Sequence, residues 1–202
     1  VAWENDLTAF RAYGPALQET GERAFGYDIW TKYNTTEPVV EARYEGELNP
    51  DMKAKIAELG KTDPKAAQEL YRSVSYHVDH GNGLDCYKVG PTLGGGTTAL
   101  MAGDTIIYPY CYATQEILDN GPLRFTVKLV YNPLVVKGDS TIIETRIITL
   151  DAGSYCNKTV VSYTNLKETM PLAVGIVLHE PDGAIVADAA NGYMTYVDPT
   201  DN

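Results

Sequence analysis

Cysteine, phenylalanine, tryptophan and positive charge are all scarce in this chain, and each scarcity narrows what it can be. Only Cys86, Cys111 and Cys156 occur in 202 residues, with no Cys-x-x-Cys pair among them. A zinc ribbon needs such pairs and is excluded. One disulfide with a thiol left over and three buried thiols both fit the count. The second is favoured, since cysteine often behaves as a small hydrophobe. No apolar run nears the ~20 residues of a membrane span, so no membrane partner is expected. Lys and Arg number 16 against 27 Asp and Glu, a net charge of −11. That field repels phosphate, so no nucleic-acid partner is expected either. The sequence opens at Val1-Ala2-Trp3-Glu4 with neither an initiator methionine nor a signal-peptide pattern. Processing, trimming or a fragment each explains that start.

What is present suits a globular chain. Apolar residues make up 44% and charged residues 21%, ordinary values for such a domain. The length allows a sizeable core that buries ~70% of the unfolded surface. Tyrosine is abundant, at 15 against 3 Phe and 2 Trp. That balance favours half-buried sheet surfaces and stacking platforms over a greasy core.

Strand signals dominate the pattern. Residues 6–13 end at the turn signal Gly14-Pro15, and residues 123–131 alternate apolar with polar. Residues 141–150 are rich in β-branched side chains, and strands are also read at 158–164, 172–178, 184–187 and 193–197. Short strands with regular turns predict a mainly β fold, an antiparallel sandwich or barrel. One region breaks the pattern. Asn49-Pro50 and Asp63-Pro64 are helix-start signals, and Ala66, Ala67, Leu70, Tyr71 and Val74 recur at helical spacing. A helical insertion is therefore expected from Asn49 to Ser75. The strand Tyr193 to Val197 is expected to leave an edge without a partner from this chain, which proteins usually avoid.

The densest polar cluster runs from Tyr76 to Lys88 and holds His77, Asp79, His80 and Asp85. His77 and His80 read as general acid/base groups with Asp79 as an orienting carboxylate. Two further readings stay open: a metal site completed by Asp85 or glutamates, and a loop whose histidines cap backbone groups. The segment Gly90-Pro-Thr-Leu-Gly94-Gly95-Gly96-Thr97 lacks the Gly-Lys-Ser/Thr ending of a phosphate loop. Its glycines instead let the backbone come close to a ligand or to another strand. No cofactor and no resident metal are expected.

Glu144 and Arg146 lie two apart in an apolar strand, so they share a face. They read either as the floor of a cleft or as an ion pair on a wet face. His179-Glu180 precedes a Pro-Asp-Gly turn, and His179 is a further catalytic candidate. Tyr108, Tyr110 and Tyr112 alternate, which puts them on one face if the segment is a strand. Such a face stacks on sugar C–H surfaces or simply packs. Arg11, Arg23 and Lys32 sit among aromatic residues and suit the carboxylate of a uronic acid.

Several long motifs resemble a bacterial family of unknown function encoded in polysaccharide-utilisation loci. They are Trp3-Glu-Asn-Asp6, Ala9-Phe-Arg11-Ala-Tyr13-Gly-Pro15, Gly26-Tyr-Asp28-Ile-Trp30, Tyr76-His-Val-Asp-His-Gly81, Leu84-Asp-Cys86 and Gly90-Pro-Thr-Leu-Gly-Gly-Gly96. Asp119-Asn-Gly-Pro-Leu-Arg124, Glu144-Thr-Arg146, Leu150-Asp-Ala-Gly153 and His179-Glu-Pro-Asp-Gly183 continue the match along essentially the whole chain. The resemblance implies a galactose-mutarotase-like super-sandwich, with residues 1–202 a single β-sandwich domain incomplete at both ends. It also implies a periplasmic or secreted protein. The missing remainder of the same protein, or a partner strand, is expected at the C-terminal edge.

Three functions compete on this reading. The first is an enzyme acting on uronic-acid-containing polysaccharide or oligosaccharide by lyase-type chemistry. The second is a sugar mutarotase or epimerase, and the third a non-catalytic carbohydrate-binding module. The catalytic candidates are His77, His80, Glu144 and His179; the substrate-binding candidates are Arg11, Asp79, Asp85, Tyr110 and Arg146. One concave cleft is expected to gather His77, Asp79 or His80 with Glu144, Arg146 or His179.

Overall fold

A computed structural model describes residues 1–180 and 184–197. In chain order its elements begin with β1 (Ala2–Glu4), β2 (Thr8–Ala12), α1 (Pro15–Glu19) and β3 (Tyr27–Thr31). The helices α2 (Val40–Leu48), α3 (Pro50–Thr62) and α4 (Pro64–Arg72) follow. Then come β4 (Thr97–Ala102), β5 (Thr105–Ile107), β6 (Tyr112–Gly121), β7 (Arg124–Tyr131), β8 (Leu134–Val136) and β9 (Asp139–Asp151). The last strands are β10 (Lys158–Thr164), β11 (Leu172–Gly175), β12 (Ala184–Asp188) and β13 (Tyr193–Val197).

The fold is mainly β and antiparallel, as a sandwich without a closed barrel. Among the described residues, one sheet runs β1-β2-β3, and a larger one runs β10-β9-β7-β6 with β8 added on β9. A third sheet runs β11-β4-β5, and β12 pairs with β13. Trp3, Phe10, Ala12 and Tyr27 of the first sheet bury against Val127, Leu129, Tyr131, Ile148 and Leu150 of the larger one. Fully burying a Leu129 or an Ile148 stabilises the sandwich by roughly 1.5–3 kcal/mol each. Leu100 of β4 packs with Leu134, Val136 and Ile142, so the third sheet closes over the β8–β9 end.

The opening motif joins these layers. The Trp3 indole donates to Asn157 Oδ1 at 2.9 Å, and the Asn5 amide donates to the Asp151 and Ser154 carbonyls at 2.7 Å each. Asp6 accepts from the Gly153 amide at 2.8 Å. Glu4 receives the backbone amides of Val39 and Val40 and the buried Lys32 ammonium at 2.8–3.1 Å. A carboxylate at that position satisfies amides that the first turn of α2 leaves unpaired.

The helical excursion begins at Val40, earlier than the expected Asn49. The helices α3 and α4 open on their own Asn49 and Asp63 caps, as the local signals predict. No side chain of Val39 caps α2, and its cap arrives from Glu4 across the fold. Tyr108, Tyr110 and Tyr112 do not share a strand face: β5 ends at Ile107 and β6 begins at Tyr112. Pro109 between them has no N–H to give a ladder. The expected strand over 193–197 is β13, paired with β12 along one side. Its other side carries no strand among the described residues. Residues 181–183, where a turn is expected, and residues 198–202 lie outside the described residues.

Candidate functional site

The outer face of the first sheet carries the site. Its inner face holds Phe10, Ala12 and Tyr27, so alternation turns Ala9, Arg11, Asp28 and Trp30 outward. There α2 and Tyr76 cover Ala9 and Trp30. The segment 84–85 extends the sheet by pairing along β3, with Trp30 opposite Asp85 and the Thr31 amide donating to the Leu84 carbonyl at 3.0 Å.

Arg11 and Asp28 stand opposite each other in the β2–β3 register and form an ion pair. Arg11 Nη2 also donates to Asp85 Oδ2 at 3.0 Å and to the Tyr13 hydroxyl at 2.9 Å. Its Nη1 donates to the Tyr44 hydroxyl at 3.0 Å. The Tyr13 hydroxyl donates to Asp28 Oδ2 at 3.1 Å. The guanidinium lies over the rings of Tyr13 and Trp30, 5.0 and 5.4 Å from their centroids. One cation is thus shared between two buried carboxyl groups. Burial works against the Arg11 charge, but Asp28, Tyr13 and Asp85 outweigh it and raise its pKa. Burial and the neighbouring Asp28 charge push the Asp85 carboxyl up to about 7, against the pull of Arg11. Like charges at one cation favour keeping a proton on the pair.

Arg11, Tyr13, Asp28 and Asp85 floor a cleft of about 630 Å³, which Leu17, Glu22, Arg23, Tyr76, His77, Tyr87 and Lys88 also line. His77 Nδ1 lies 3.7 Å from Asp85 Oδ2 and 3.4 Å from the Asp85 carbonyl. Its ring packs 4.5 Å from Tyr76. Arg23 stacks over Tyr110, 4.7 Å from the centroid, and donates to its hydroxyl at 2.5 Å.

The glycine-rich stretch positions the far wall. Gly94 bridges to Tyr27, and the Gly95 amide donates to the Tyr27 carbonyl at 2.8 Å. A Cβ at Gly26 would run into the Leu93 carbonyl, and Gly94 sits at φ +59°. The close approach is therefore to another strand. The Tyr87 hydroxyl reaches the Gly94 and Val177 carbonyls.

The other expected residues divide. His179 bonds through Nε2 with the Lys88 carbonyl at 2.6 Å and meets the Tyr87 ring edge-on at 4.9 Å, so it braces the rim. Asp79 accepts from the amides of Gly81 and Gly83, which shapes the loop. His80 bonds with the Ser75 carbonyl at 2.9 Å and lines a different depression, beside Arg43 and Asn82. For Asp79 and His80 the loop-capping reading describes the contacts, and neither lines the cleft.

Glu144 and Arg146 share a face as expected, but that face is the interior and not a cleft floor. Both are 0% exposed and pair with each other, Arg146 Nε to Glu144 Oε1 at 2.5 Å. Arg146 also lies over the Tyr131 and Tyr27 rings and donates to the Thr98 carbonyl at 3.3 Å. The strand β9 is central in its sheet, between β7 and β10, and β4 approaches its face. Charges there survive only as a self-neutralising pair. The three cysteines are unbridged, with Cys86 and Cys111 buried and Cys156 exposed. Among the described residues no group of three or more His, Cys, Asp or Glu is arranged to hold a metal ion.

Sequence reasoning missed Asp28, Tyr13 and Tyr44. Asp28 carried a signal, being the one charge in the otherwise apolar run Tyr27-Asp28-Ile29-Trp30. Tyr44 carried none, because its helix was not foreseen.

The family model for a domain of unknown function, DUF4861, matches residues 1–202, the full chain. The chain belongs to the DUF4861 family. Among curated proteins, this DUF4861 chain is similar to "Uncharacterized protein P7" of Formosa agariphila. The two are 27% identical over 201 residues, covering 96% of the chain and 44% of that protein. The chain therefore spans less than half the length of that relative. No solved structure matches the DUF4861 chain.

Proposed function

We propose that the Arg11–Asp28–Asp85 cleft binds a uronic-acid-containing saccharide and performs lyase-type acid–base chemistry on it. One observation carries the reading. A histidine and a carboxyl with a raised pKa stand side by side in a cleft walled by tyrosines, His77 Nδ1 lying 3.7 Å from Asp85 Oδ2. Aromatic walls suit sugar rings, and acid–base catalysis needs groups that titrate near the working pH. Arg23 supplies a cation for the substrate carboxylate, because its side-chain partners are Gln18 and Tyr110 and not an acid. Arg11 is instead neutralised by Asp28 and hydrogen-bonded to Asp85.

In this mechanism His77 takes the proton on the carbon next to the carboxylate. That electron pair forms a carbon–carbon double bond as the bond to the glycosidic oxygen breaks. Asp85 gives its proton to the leaving oxygen. Arg23 stabilises the charge that develops on the carboxylate. We place this activity in the periplasm or outside the cell, within polysaccharide breakdown, on a galactose-mutarotase-like framework. The engagement of Arg11 with two carboxyls favours one second reading, a binding module in which the cluster is purely structural. A mutarotase that uses Glu144 as base has no support, since that carboxylate is buried.

A panel of uronic-acid polysaccharides tests the proposal. Ultraviolet absorbance from an unsaturated product that disappears in His77→Ala supports it. Binding without any product supports the module. Neither binding nor product rejects both.

A further inference from the structure

A second depression, of about 610 Å³, lies on the other side of His77. Tyr71, Arg72, Ser75, Asp79 and Leu84 are among the residues that line it, with Asp79 Oδ1 held by the Gly81 and Gly83 amides, and His77 lines both depressions. Each side has an arginine and a tyrosine near it: Arg23 stacks over Tyr110 at the first, and Arg72 and Tyr71 both line the second. Neither arginine has a carboxylate at ion-pair distance among the described residues, whereas Lys32, Arg124, Lys128, Lys137 and Lys167 each do. What sets Arg23 and Arg72 apart from the other cations without a carboxylate partner is their place in the walls of two depressions that share His77, where a cation suits an anionic ligand. Both Tyr71 and Tyr110 are about 40% exposed, so their rings are available for stacking.

We infer that these depressions are consecutive subsites, and that the ligand is an acidic oligosaccharide crossing His77 with a negatively charged sugar on each side. The inference rests on the saccharide reading of the first cleft. It adds a minimum length of two sugars and places the bond between them over the imidazole. Arg72 and Tyr71 lie on the last turn of α4 and are exposed, so their substitution removes no core contact.

Calorimetric titration with galacturonate and with its dimer and tetramer, and with the corresponding alginate fragments, tests it. For the wild type, affinity should rise at least tenfold from monomer to tetramer. In the Tyr71→Ala/Arg72→Ala variant, with unchanged circular dichroism, that gain should fall to near onefold. Monomer binding with no gain on lengthening overturns the second subsite and leaves the first cleft standing. A gain that survives the double substitution also overturns it, since the extra contacts then lie elsewhere. Absence of binding by every saccharide overturns the first-cleft reading and this inference together.

Discussion

Arg11 on β2 and Asp28 on β3 face each other across one antiparallel register position, 11% and 1% exposed at their side chains. Their pairing lets a charge of each sign sit on the outer face of the first sheet, beneath Tyr44 and Tyr13. Asp85 then joins from a segment far along the chain, and the shared cation gives the cleft its carboxyl pair.

Removing either member of that pair leaves a buried charge without its partner, which typically costs about 3–5 kcal/mol. Arg11→Met should lower stability by an amount of this order, measured by urea unfolding. Arg124→Met, which breaks an exposed pair with Asp151, should cost no more than ~1 kcal/mol.

Asp85 makes stability depend on pH. Its carboxyl titrates near ~3.9 in the unfolded chain and at about 7 in the fold. Between these values the folded state holds a proton that the unfolded state has lost. The contribution is therefore greatest at low pH and declines as pH rises towards 7. The urea midpoint of the wild type should fall from pH 5 to pH 7.5 more steeply than that of Asp85→Asn. Turnover that uses the protonated carboxyl should also decline above pH 7, and Asp85→Asn should lose that limb.

The two loop histidines should separate in an activity assay. His77→Ala should reduce turnover by about 10²–10⁴-fold, the usual worth of a positioned acid or base. His80→Ala should leave turnover within about twofold, since its ring serves the Ser75 carbonyl outside the cleft.

Around the buried Glu144–Arg146 pair, polar atoms on Tyr27, Thr98, Glu144 and Arg146 have no hydrogen-bond partner among the described residues. Burial and the nearby Glu144 carboxylate both raise the Tyr163 pKa, so its hydroxyl stays protonated and able to donate. A high-resolution crystal structure should show ordered water bridging these groups. Arg146→Met should cost about 3–5 kcal/mol, and Glu144→Leu/Arg146→Met together should cost less than that single change.

Gly94→Ala tests the loop wall. Its backbone sits at φ +59°, and a Cβ there would approach the Tyr27 carbonyl to 2.6 Å. The left-handed conformation alone costs roughly 1–2 kcal/mol for a residue with a Cβ. The variant should be destabilised by more than that, whereas Gly103→Ala, with open space around it, should be hurt only by the backbone conformation.

Local signals were sufficient where the physics is local. Alternation in residues 123–131 and β-branching in residues 141–150 predict β7 and β9, because a strand with one buried face needs that pattern. Asn49-Pro50 and Asp63-Pro64 predict α3 and α4, because each cap binds an amide three residues on. The same alternation puts Glu144 and Arg146 on one face, but period alone does not say whether that face meets solvent or a third sheet. Only the approach of β4 decides that. Likewise α2 depends on Glu4, some 35 residues away, and Asp85 gains its raised pKa only when folding buries it and β3 brings Asp28 beside it. Caps and alternation act over a few residues and are written in the sequence. Burial, register and shared charge arise between segments distant along the chain, so they exist only once the chain has folded.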